Sequence, residues 1–562
     1  MLKKITALIT IFAIIVITSA CSLNGMSSGQ EKNVIVKLMI GRDKQWIFDE
    51  IQNQMIQNKT TVNGKTIKIV TDKAGTGEAM DKILQPHSDY IGWMPASSTY
   101  IKWANEQWYK CGNLKPRVNE DSITVFLTPT VIAMRESLAK LMGYPQREIG
   151  WSDILNLSIS NEGWGEYGDI SLNPVRFSHT HPAKSNSGMN ALIAEEYAFS
   201  NKTKNLTLDD IKNNSSKLKA VEQTIVHYGE STSLLQKKIV EKGPQFIQYA
   251  VLYEYMVADM NKKNYGMEKT VAIYPKEGTI WGDVSFTEVY STSVTDEQKQ
   301  ALKIIKNMLL SGEIQKKGMN EYYFRPANTN IPVSDVISKE NGVDPIEPKT
   351  TLELPKIDII NAILDDWTKN MKKRANVTFV LDTSESMNGE ALNNVKEAIQ
   401  SITTGNSQSN KYNELSPEDY ISIIDFNSNI SEPYTVKGSE AVNINSHISA
   451  LSAKGATRLY DAILRGIESN LQISKSISNE NKRINVVVVL TDGIDTNSET
   501  KYEQLDKYID SQQGNLPVII TVGYGNVDEN KLTEIADKTG GKYYKGDPSS
   551  IKQLFEEIKT YF

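Results

Sequence analysis

Three short segments in the C-terminal third carry hydroxyl and carboxylate side chains suited to binding a metal ion. The segment Asp-Thr-Ser-Glu-Ser at 382–386 follows an apolar run at 377–381, which predicts a strand buried on both faces. The ends of such strands are where open α/β sheets place their ligands. Gly-Ala-Thr at 455–457 precedes a predicted helix, and Thr-Asp-Gly at 491–493 follows a predicted strand. Hydroxyl and carboxylate oxygens are ligands that Mg²⁺ takes, about six in a near-octahedral shell.

Each segment alone could also be a turn or a helix cap, because Ser, Thr, Asp and Gly are common in both. Together and in this order, the segments resemble the metal-ion-dependent adhesion site of von Willebrand factor type A domains, over about residues 376–562. The resemblance implies a bound Mg²⁺, or Mn²⁺ or Ca²⁺, held by hydroxyls directly and by carboxylates largely through water. It also implies an open position that accepts an acidic side chain of a protein partner. The matching residues are Asp382, Ser384, Ser386, Thr457 and Asp492.

Strands and helices alternate along the part of the chain that must position these residues. Strands are predicted at 420–425, 484–490 and 518–522, and helices at 390–401, 458–471 and 529–538. Strands that alternate with helices favour a parallel sheet covered by helices on both faces. The sequence therefore predicts a doubly wound, Rossmann-like α/β domain at 376–562.

A second α/β region begins at residue 33. Strands are predicted at 34–40, 66–70 and 89–94, and helices at 44–57, 76–84 and 97–105. The apolar, extended region 122–134 predicts a pair of crossover strands that lead to a second lobe. Segments 176–188, 228–232 and 271–279 resemble those of bacterial extracellular solute-binding proteins, with the likeness extending over 33–331. The resemblance implies two lobes that close around a small ligand.

Residues at predicted helix starts are the candidates for binding that ligand. Their hydroxyls and free backbone N–H groups suit a small polar or anionic solute. The alternative is that they are ordinary helix caps. They are Thr76, Ser97, Ser98, Ser185, Asn186 and Ser187.

The N-terminus carries a targeting pattern. Lys3 and Lys4 precede an uncharged run at 5–20 that ends in Thr-Ser-Ala before Cys21, which is typical of a signal peptide. The small residues before the cysteine resemble the lipobox of bacterial lipoproteins, which implies that Cys21 carries the lipid. An uncleaved membrane anchor is the alternative, but the run is shorter than the ~20 residues that a spanning helix needs. Residues after Cys21 are polar and rich in Gly and Ser, which predicts a flexible tether.

The length of the chain and its net charge indicate the number of domains and the kind of partner. A chain of 562 residues predicts several domains, and a net charge of -6 with a pI near 5.7 gives no reason to expect nucleic acid as a partner. The expected organisation is a signal peptide at 1–20, a tether at 21–32, a solute-binding-like domain at 33–331, a linker with a connecting helix at 332–375, and the adhesion domain at 376–562.

Other motifs give weaker signals. His179 and His181 could face one way on a strand, but with no third ligand nearby a loop or hinge role is favoured over zinc. Ser187 lacks a nucleophile elbow, and no Ser/His/Asp set is apparent. The segment at 73–78 lacks the Lys-Ser/Thr pair of a phosphate-binding loop but could still offer helix N–H groups to an anion.

The sequence thus predicts a non-enzymatic, lipid-anchored binding protein on the extracytoplasmic face of the cell membrane. Its metal site would engage a protein partner. One alternative is a solute-binding component associated with a membrane transporter, and a bound small molecule would favour it. An enzyme is the other alternative, and a nucleophile with its base would be the feature to find.

Overall fold

The computed structural model describes residues 33–562, except 244–245, 292, 404–411, 413–414, 478–482, 513–515, 547–553, 556–557 and 560–562. The expected signal peptide, the tether and Cys21 lie outside the described residues. Within that part of the chain, no helix has the length and apolar character needed to cross a membrane.

The first part of the described chain forms one mixed sheet of 11 strands. Its strands are β1 (Asn33–Ile40), β2 (Thr61–Val62), β3 (Lys65–Lys73), β4 (Gly92–Met94), β5 (Ile123–Arg135), β6 (Phe177–Thr180), β7 (Ile225–Gly229), β8 (Tyr249–Tyr253), β9 (Thr270–Ile273), β10 (Trp281–Glu288) and β11 (Arg325–Pro326). Its helices are α1 (Gln45–Gln57), α2 (Thr76–Ile83), α3 (Thr99–Lys110), α4 (Glu136–Leu141), α5 (Trp151–Ile159), α6 (Asn186–Ser200), α7 (Leu208–Glu222), α8 (Thr232–Lys242), α9 (Glu254–Lys263), α10 (Asp296–Leu309) and α11 (Gly312–Tyr322).

Strand β5 divides this sheet into two lobes. Its first half pairs with β10, and its second half pairs with β8 and β9. The first lobe contains β1–β4, and the second lobe contains β6–β9. The predicted crossover pair at 122–134 is wrong in detail, because the region is one continuous strand. Pro129 lies at its middle but remains paired with Trp281 instead of forming a turn, and the second crossing strand, β10, comes from far along the chain.

The C-terminal part forms a separate sheet of six strands in the order β14-β13-β12-β15-β16-β17. All neighbours are parallel except β13 and β14. The strands are β12 (Ala375–Asp382), β13 (Tyr420–Phe426), β14 (Tyr434–Lys437), β15 (Ile484–Thr491), β16 (Val518–Gly523) and β17 (Tyr543–Lys545). The helices are α13 (Glu390–Thr403), α14 (Ile444–Ala450), α15 (Leu459–Ser476), α16 (Tyr502–Ser511) and α17 (Glu529–Lys538).

The central strand β12 is buried along its whole length, as the weak alternation of its sequence predicted. Strands β13 and β15 flank it in parallel, so their carboxyl ends meet at one edge of the sheet. We call this edge, from which Asp382 and Asp492 extend, the C-terminal rim. The predicted α/β fold class is confirmed for both parts of the chain.

A connector with one buried face joins the two parts. Helix α12 (Ile357–Asp366) continues into one turn of π-helix at Trp367–Met371, and β12 begins after three further residues. The Trp367 side chain is fully buried, and its Nε1 donates a hydrogen bond to Glu222 Oε2 over 2.9 Å. Its ring packs edge-on against those of His181 and Tyr228. One apolar cluster runs from the second lobe through this connector into the C-terminal sheet.

His179 and His181 lie at the junction between the second lobe and the connector. His179 lies in strand β6 rather than in a loop, and its Nε2 is 2.7 Å from Glu222 Oε1. His181 follows the strand and is also fully buried, so burial keeps its pKa well below the usual value. Among the described residues, no group of three or more His, Cys, Asp or Glu side chains is placed to hold a metal. Both histidines therefore belong to the packing between the second lobe and the connector.

Candidate functional site

Backbone hydrogen bonds tie three loops together at the C-terminal rim. Glu385 N donates to Gly455 O over 3.0 Å, and Lys454 N donates to Thr383 O over 2.8 Å. Tyr524 N, after β16, donates to Thr491 O over 2.8 Å. The first two bonds hold the loop after β12 beside the segment before α15, and the third holds the end of β16 beside the end of β15.

Asp382 is the innermost of the predicted site residues. Its side chain is fully buried, Oδ1 accepts a hydrogen bond from Ser384 N over 2.8 Å, and Oδ2 accepts one from Thr491 Oγ1 over 2.5 Å. Both bonds fix the carboxylate toward the loops of the rim. Asp382 therefore links two of the predicted segments, although it is 109 positions from Thr491.

The hydroxyl groups form a short chain that leads from the interior to the surface. Ser384 Oγ is 3.2 Å from Ser386 Oγ, and Ser386 Oγ donates to Asp492 Oδ1 over 2.6 Å. A Cβ atom placed on Gly493 would be 3.3 Å from Thr457 Oγ1 and 3.9 Å from Ser386 Oγ. All five residues expected at the metal site thus lie together, and the exposed Ser386 opens the group to solvent.

Two carboxyl groups in this site are held in an environment that disfavours their charge. Burial raises the pKa of Asp382, and the charge of nearby Asp492 raises it further. Burial also raises the pKa of Asp492. The interactions that oppose the rise are hydrogen bonds from neutral groups, mainly Ser384, Thr491 and Ser386. A divalent cation would relieve this repulsion, and the three hydroxyls and two carboxylates are the oxygen donors that Mg²⁺ prefers.

A supporting set of residues was missed at the level of sequence. Thr457 N donates to Thr496 Oγ1 over 3.1 Å, and Asp495 Oδ1 accepts from Leu459 N over 2.9 Å at the start of α15. On the other side, Asn427 Nδ2 donates to Thr383 Oγ1 over 3.2 Å. The polar run at 495–500 is the signal that could have pointed to these residues, since Asp, Ser and Thr after a strand often cap a neighbouring helix.

A second candidate site lies between the lobes. It is a cavity of about 40 Å³, enough for a few water molecules or a small ion. Three of the residues predicted there, Thr76, Ser185 and Asn186, line it. Helices α2, α6 and α8 all begin at this cavity. Arg42 and Lys44 also line it, together with Asp43, which forms an ion pair with Lys44. Helix N-termini and cationic side chains together suit an anion.

The other three predicted residues are not among those that line the cavity. Ser98 N donates to Asp283 Oδ1 over 3.0 Å, and Ser97 Oγ accepts from Thr99 N over 3.3 Å, as in a cap. Ser187 is fully buried, and its hydroxyl is 2.8 Å from those of Thr180 and Thr232. Sequence had no means of separating these caps from cavity residues, because both occupy helix starts.

The two lobes touch directly beside the cavity. Gly77 N of the first lobe donates to Lys184 O of the second over 2.9 Å, and Lys184 Nζ is 3.4 Å from Asp81 Oδ2. A Cβ atom on Gly77 would collide with the carbonyl oxygen of Ala183 and would be 2.9 Å from Lys184 Cα. The structure therefore describes a closed arrangement of the lobes.

The sheet and its polar rim define the C-terminal part as a doubly wound α/β binding domain. Residues 376–557 match the model of the von Willebrand factor type A domain. The match supports a binding function. A curated relative, the inter-alpha-trypsin inhibitor heavy chain H1 of Sus scrofa, is 29% identical over 191 residues, 33% of this chain and 20% of that protein. The chain spans about a fifth of the length of such relatives.

Two solved structures show likeness to different parts of the chain. A periplasmic thiamin binding protein aligns with a TM-score of 0.42 and 12% identity, over 62% of this chain and 98% of that chain. A von Willebrand factor type A protein from Catenulispora acidiphila aligns with a TM-score of 0.28 and 18% identity, over 34% of this chain and 43% of that chain.

Proposed function

We propose that this chain is a lipid-anchored binding protein on the extracytoplasmic face of the cell membrane, and that it engages a protein partner through a divalent cation. Asp382, Ser384, Ser386, Thr457 and Asp492 would hold Mg²⁺, or Mn²⁺ or Ca²⁺. The observation that carries the proposal is the convergence of three hydroxyls and two carboxylates from three loops at the C-terminal rim.

The carboxylates and the hydroxyls of the proposed site would have different roles. Asp382 and Asp492 would supply negative charge largely through water, and the neutral hydroxyls that contact the cation directly would leave much of its charge uncompensated. Ser386 lies on the exposed side, where a partner can approach. A bound cation would supply an electrophilic position for a carboxylate of that partner. We propose no catalytic role, and the Ser187 hydroxyl is bonded to two threonines rather than to a histidine.

The direct test is capture of a partner from surface extracts by the full chain, with Mg²⁺ or with a chelator. Binding that survives the chelator would contradict the proposal. Ser386→Ala should weaken capture at least about tenfold, the effect of losing a ligand to a bound charge. Ser452→Ala, which alters an exposed serine in the loop before Thr457, is the matched control and should bind like the parent.

The membrane anchor is a separate prediction. We expect the mature protein to begin at Cys21 and to carry a lipid there, because a basic start, an apolar run and small residues precede it. Mass spectrometry of the N-terminal peptide measures this directly. An unmodified N-terminus at Met1 in the membrane fraction would contradict it, and Cys111→Ser is a control that should leave the anchor unchanged.

The interlobe cavity supports a second candidate function, the capture of a small anion as part of a transport system. Its three helix N-termini carry this alternative, with Arg42 as the cationic side chain that Asp43 does not neutralise. We expect calorimetry with inorganic phosphate, sulfate and small carboxylates to detect binding, and Arg42→Gln to weaken it about tenfold or more. Arg465→Gln in α15, outside the lobes, is the control. If no member of such a panel binds, the lobes have no role in anion capture.

A further inference from the structure

The edge strand β17 of the C-terminal domain rests on the second lobe. Tyr544 OH donates to Glu230 Oε1 over 2.6 Å, and Lys542 Nζ is 3.5 Å from Glu230 Oε2. Lys238 Nζ of α8 donates to Gly540 O over 2.6 Å. A Cβ atom on Gly540 would collide with the Phe246 ring, so the two surfaces are in close contact. Glu230 is thus a point at which the second lobe holds the C-terminal domain.

Glu230 also lies at the edge of the interlobe cavity. Ser231, Thr232 and Ser233 follow it directly and line the cavity. The first lobe reaches the same residue, because a Cβ atom on Gly75 would be 3.4 Å from Glu230 O. Closure of the lobes therefore packs the start of α2 against the backbone of the residue whose side chain binds Tyr544.

The strand register of the C-terminal sheet places Tyr544 close to the strand that ends at the C-terminal rim. Tyr544 in β17 lies opposite Val522 in β16, which lies opposite Leu490 in β15, two residues before Asp492. Since neighbouring strands are about 4.8 Å apart, Tyr544 is about 10 Å across the sheet from the strand that carries Asp492. The loops beyond are also joined, with Gly546 N donating to Gly523 O over 2.7 Å.

We propose that closure of the lobes and occupancy of the metal site are energetically coupled through the Glu230–Tyr544 contact. This inference rests on the proposed metal site. Closed lobes hold the loop around Glu230 and, through it, β17 and the rim, whereas open lobes release that loop. A ligand that closes the lobes then tightens cation binding, and by linkage the cation favours closure by the same factor.

The test opens the lobes without needing the natural ligand. Gly77→Ala places a methyl group against the Ala183 carbonyl, so the closed arrangement is blocked, while alanine at a helical position suits α2. Gly312→Ala at the start of α11, where a Cβ atom meets nothing within 4 Å, is the matched control. Mn²⁺ affinity of the full chain is measured by calorimetry, and the separation of the lobes by small-angle X-ray scattering.

We expect Gly77→Ala to open the lobes and to weaken Mn²⁺ binding about fivefold or more, the lower end of usual coupling. Gly312→Ala should match the parent. In a Tyr544→Phe background, which lacks the bond to Glu230, Gly77→Ala should change Mn²⁺ affinity less than about twofold.

Three outcomes would overturn the coupling in distinguishable ways. Open lobes with unchanged Mn²⁺ affinity refute it and leave the metal site intact. A parent that binds no Mn²⁺, or binds it as tightly as Asp382→Ala does, refutes the metal site and the coupling together. Scattering that is unchanged in both Gly77→Ala and Gly77→Leu shows that closure is not the two-state element the coupling requires.

Discussion

Replacing Asp382 by alanine is expected to abolish cation binding at the C-terminal rim while leaving the C-terminal sheet folded. The carboxylate accepts hydrogen bonds from Ser384 N and Thr491 Oγ1, and so it orients both loops as well as supplying charge. Thr491 Oγ1 keeps a second acceptor, Gly493 O at 3.3 Å. Loss of a carboxylate whose pKa is raised by burial also removes a repulsive charge from the metal-free protein.

The expected magnitude follows from linkage. A cation at about 100 times its dissociation constant stabilises the folded state by about 2.7 kcal/mol. Urea unfolding of the parent should therefore shift by about this amount when Mg²⁺ is added, and that of Asp382→Ala should not shift. Partner binding measured in parallel should be lost in the variant.

Asp425→Ala is the matched control, because this aspartate lies in the neighbouring strand β13 outside the proposed ligand set. It should keep the Mg²⁺ shift. A partner whose contacting Asp or Glu is changed to the amide should also bind weakly, since a neutral oxygen gains less from the cation's charge. An Asp382→Ala protein that is folded and binds its partner as tightly as the parent would defeat the proposed metal site.

Replacing Trp367 by alanine is expected to destabilise the junction between the second lobe and the C-terminal domain by about 3–5 kcal/mol. The indole is fully buried, packs against His181 and Tyr228, and donates to Glu222. Its loss leaves a cavity in the apolar cluster that spans both parts. Urea unfolding, followed by circular dichroism, should show a lower midpoint and two separated transitions in place of a joint one.

Two further variants distinguish a specific effect at the junction from the general effect of removing a tryptophan. Trp367→Phe keeps one buried aromatic ring but loses the Nε1 donor and part of the indole volume, so we expect a smaller cost of about 1–3 kcal/mol. Trp108→Ala in α3 removes a half-buried tryptophan from the first lobe and should leave the junction intact. If Trp367→Ala unfolds with the parent's midpoint, the connector does not hold the two parts together.

The convergence of the candidate residues was largely predictable, because Asp382, Ser384, Ser386 and Asp492 stand at or just after strand ends in a parallel sheet. Strand β12 has an apolar run long enough to identify, and parallel pairing with β15 brings the segments at 382–386 and 491–493 to the same edge. The cavity was predictable only in part. Thr76 and Ser185 line it, but Ser187 starts the same helix as Asn186 and points to Thr180 and Thr232 instead.

By itself the sequence determined the α/β class, the doubly wound C-terminal domain and the five residues of the candidate metal site. Those features depend on local patterns, namely strand runs, helix periodicity and polar residues at strand ends. The tertiary structure alone decided how the parts join. Glu222 and Trp367 are 145 positions apart, and Glu230 and Tyr544 are 314 positions apart. No local pattern links such pairs, because their contacts arise from the packing of whole elements and not from the chain around either residue.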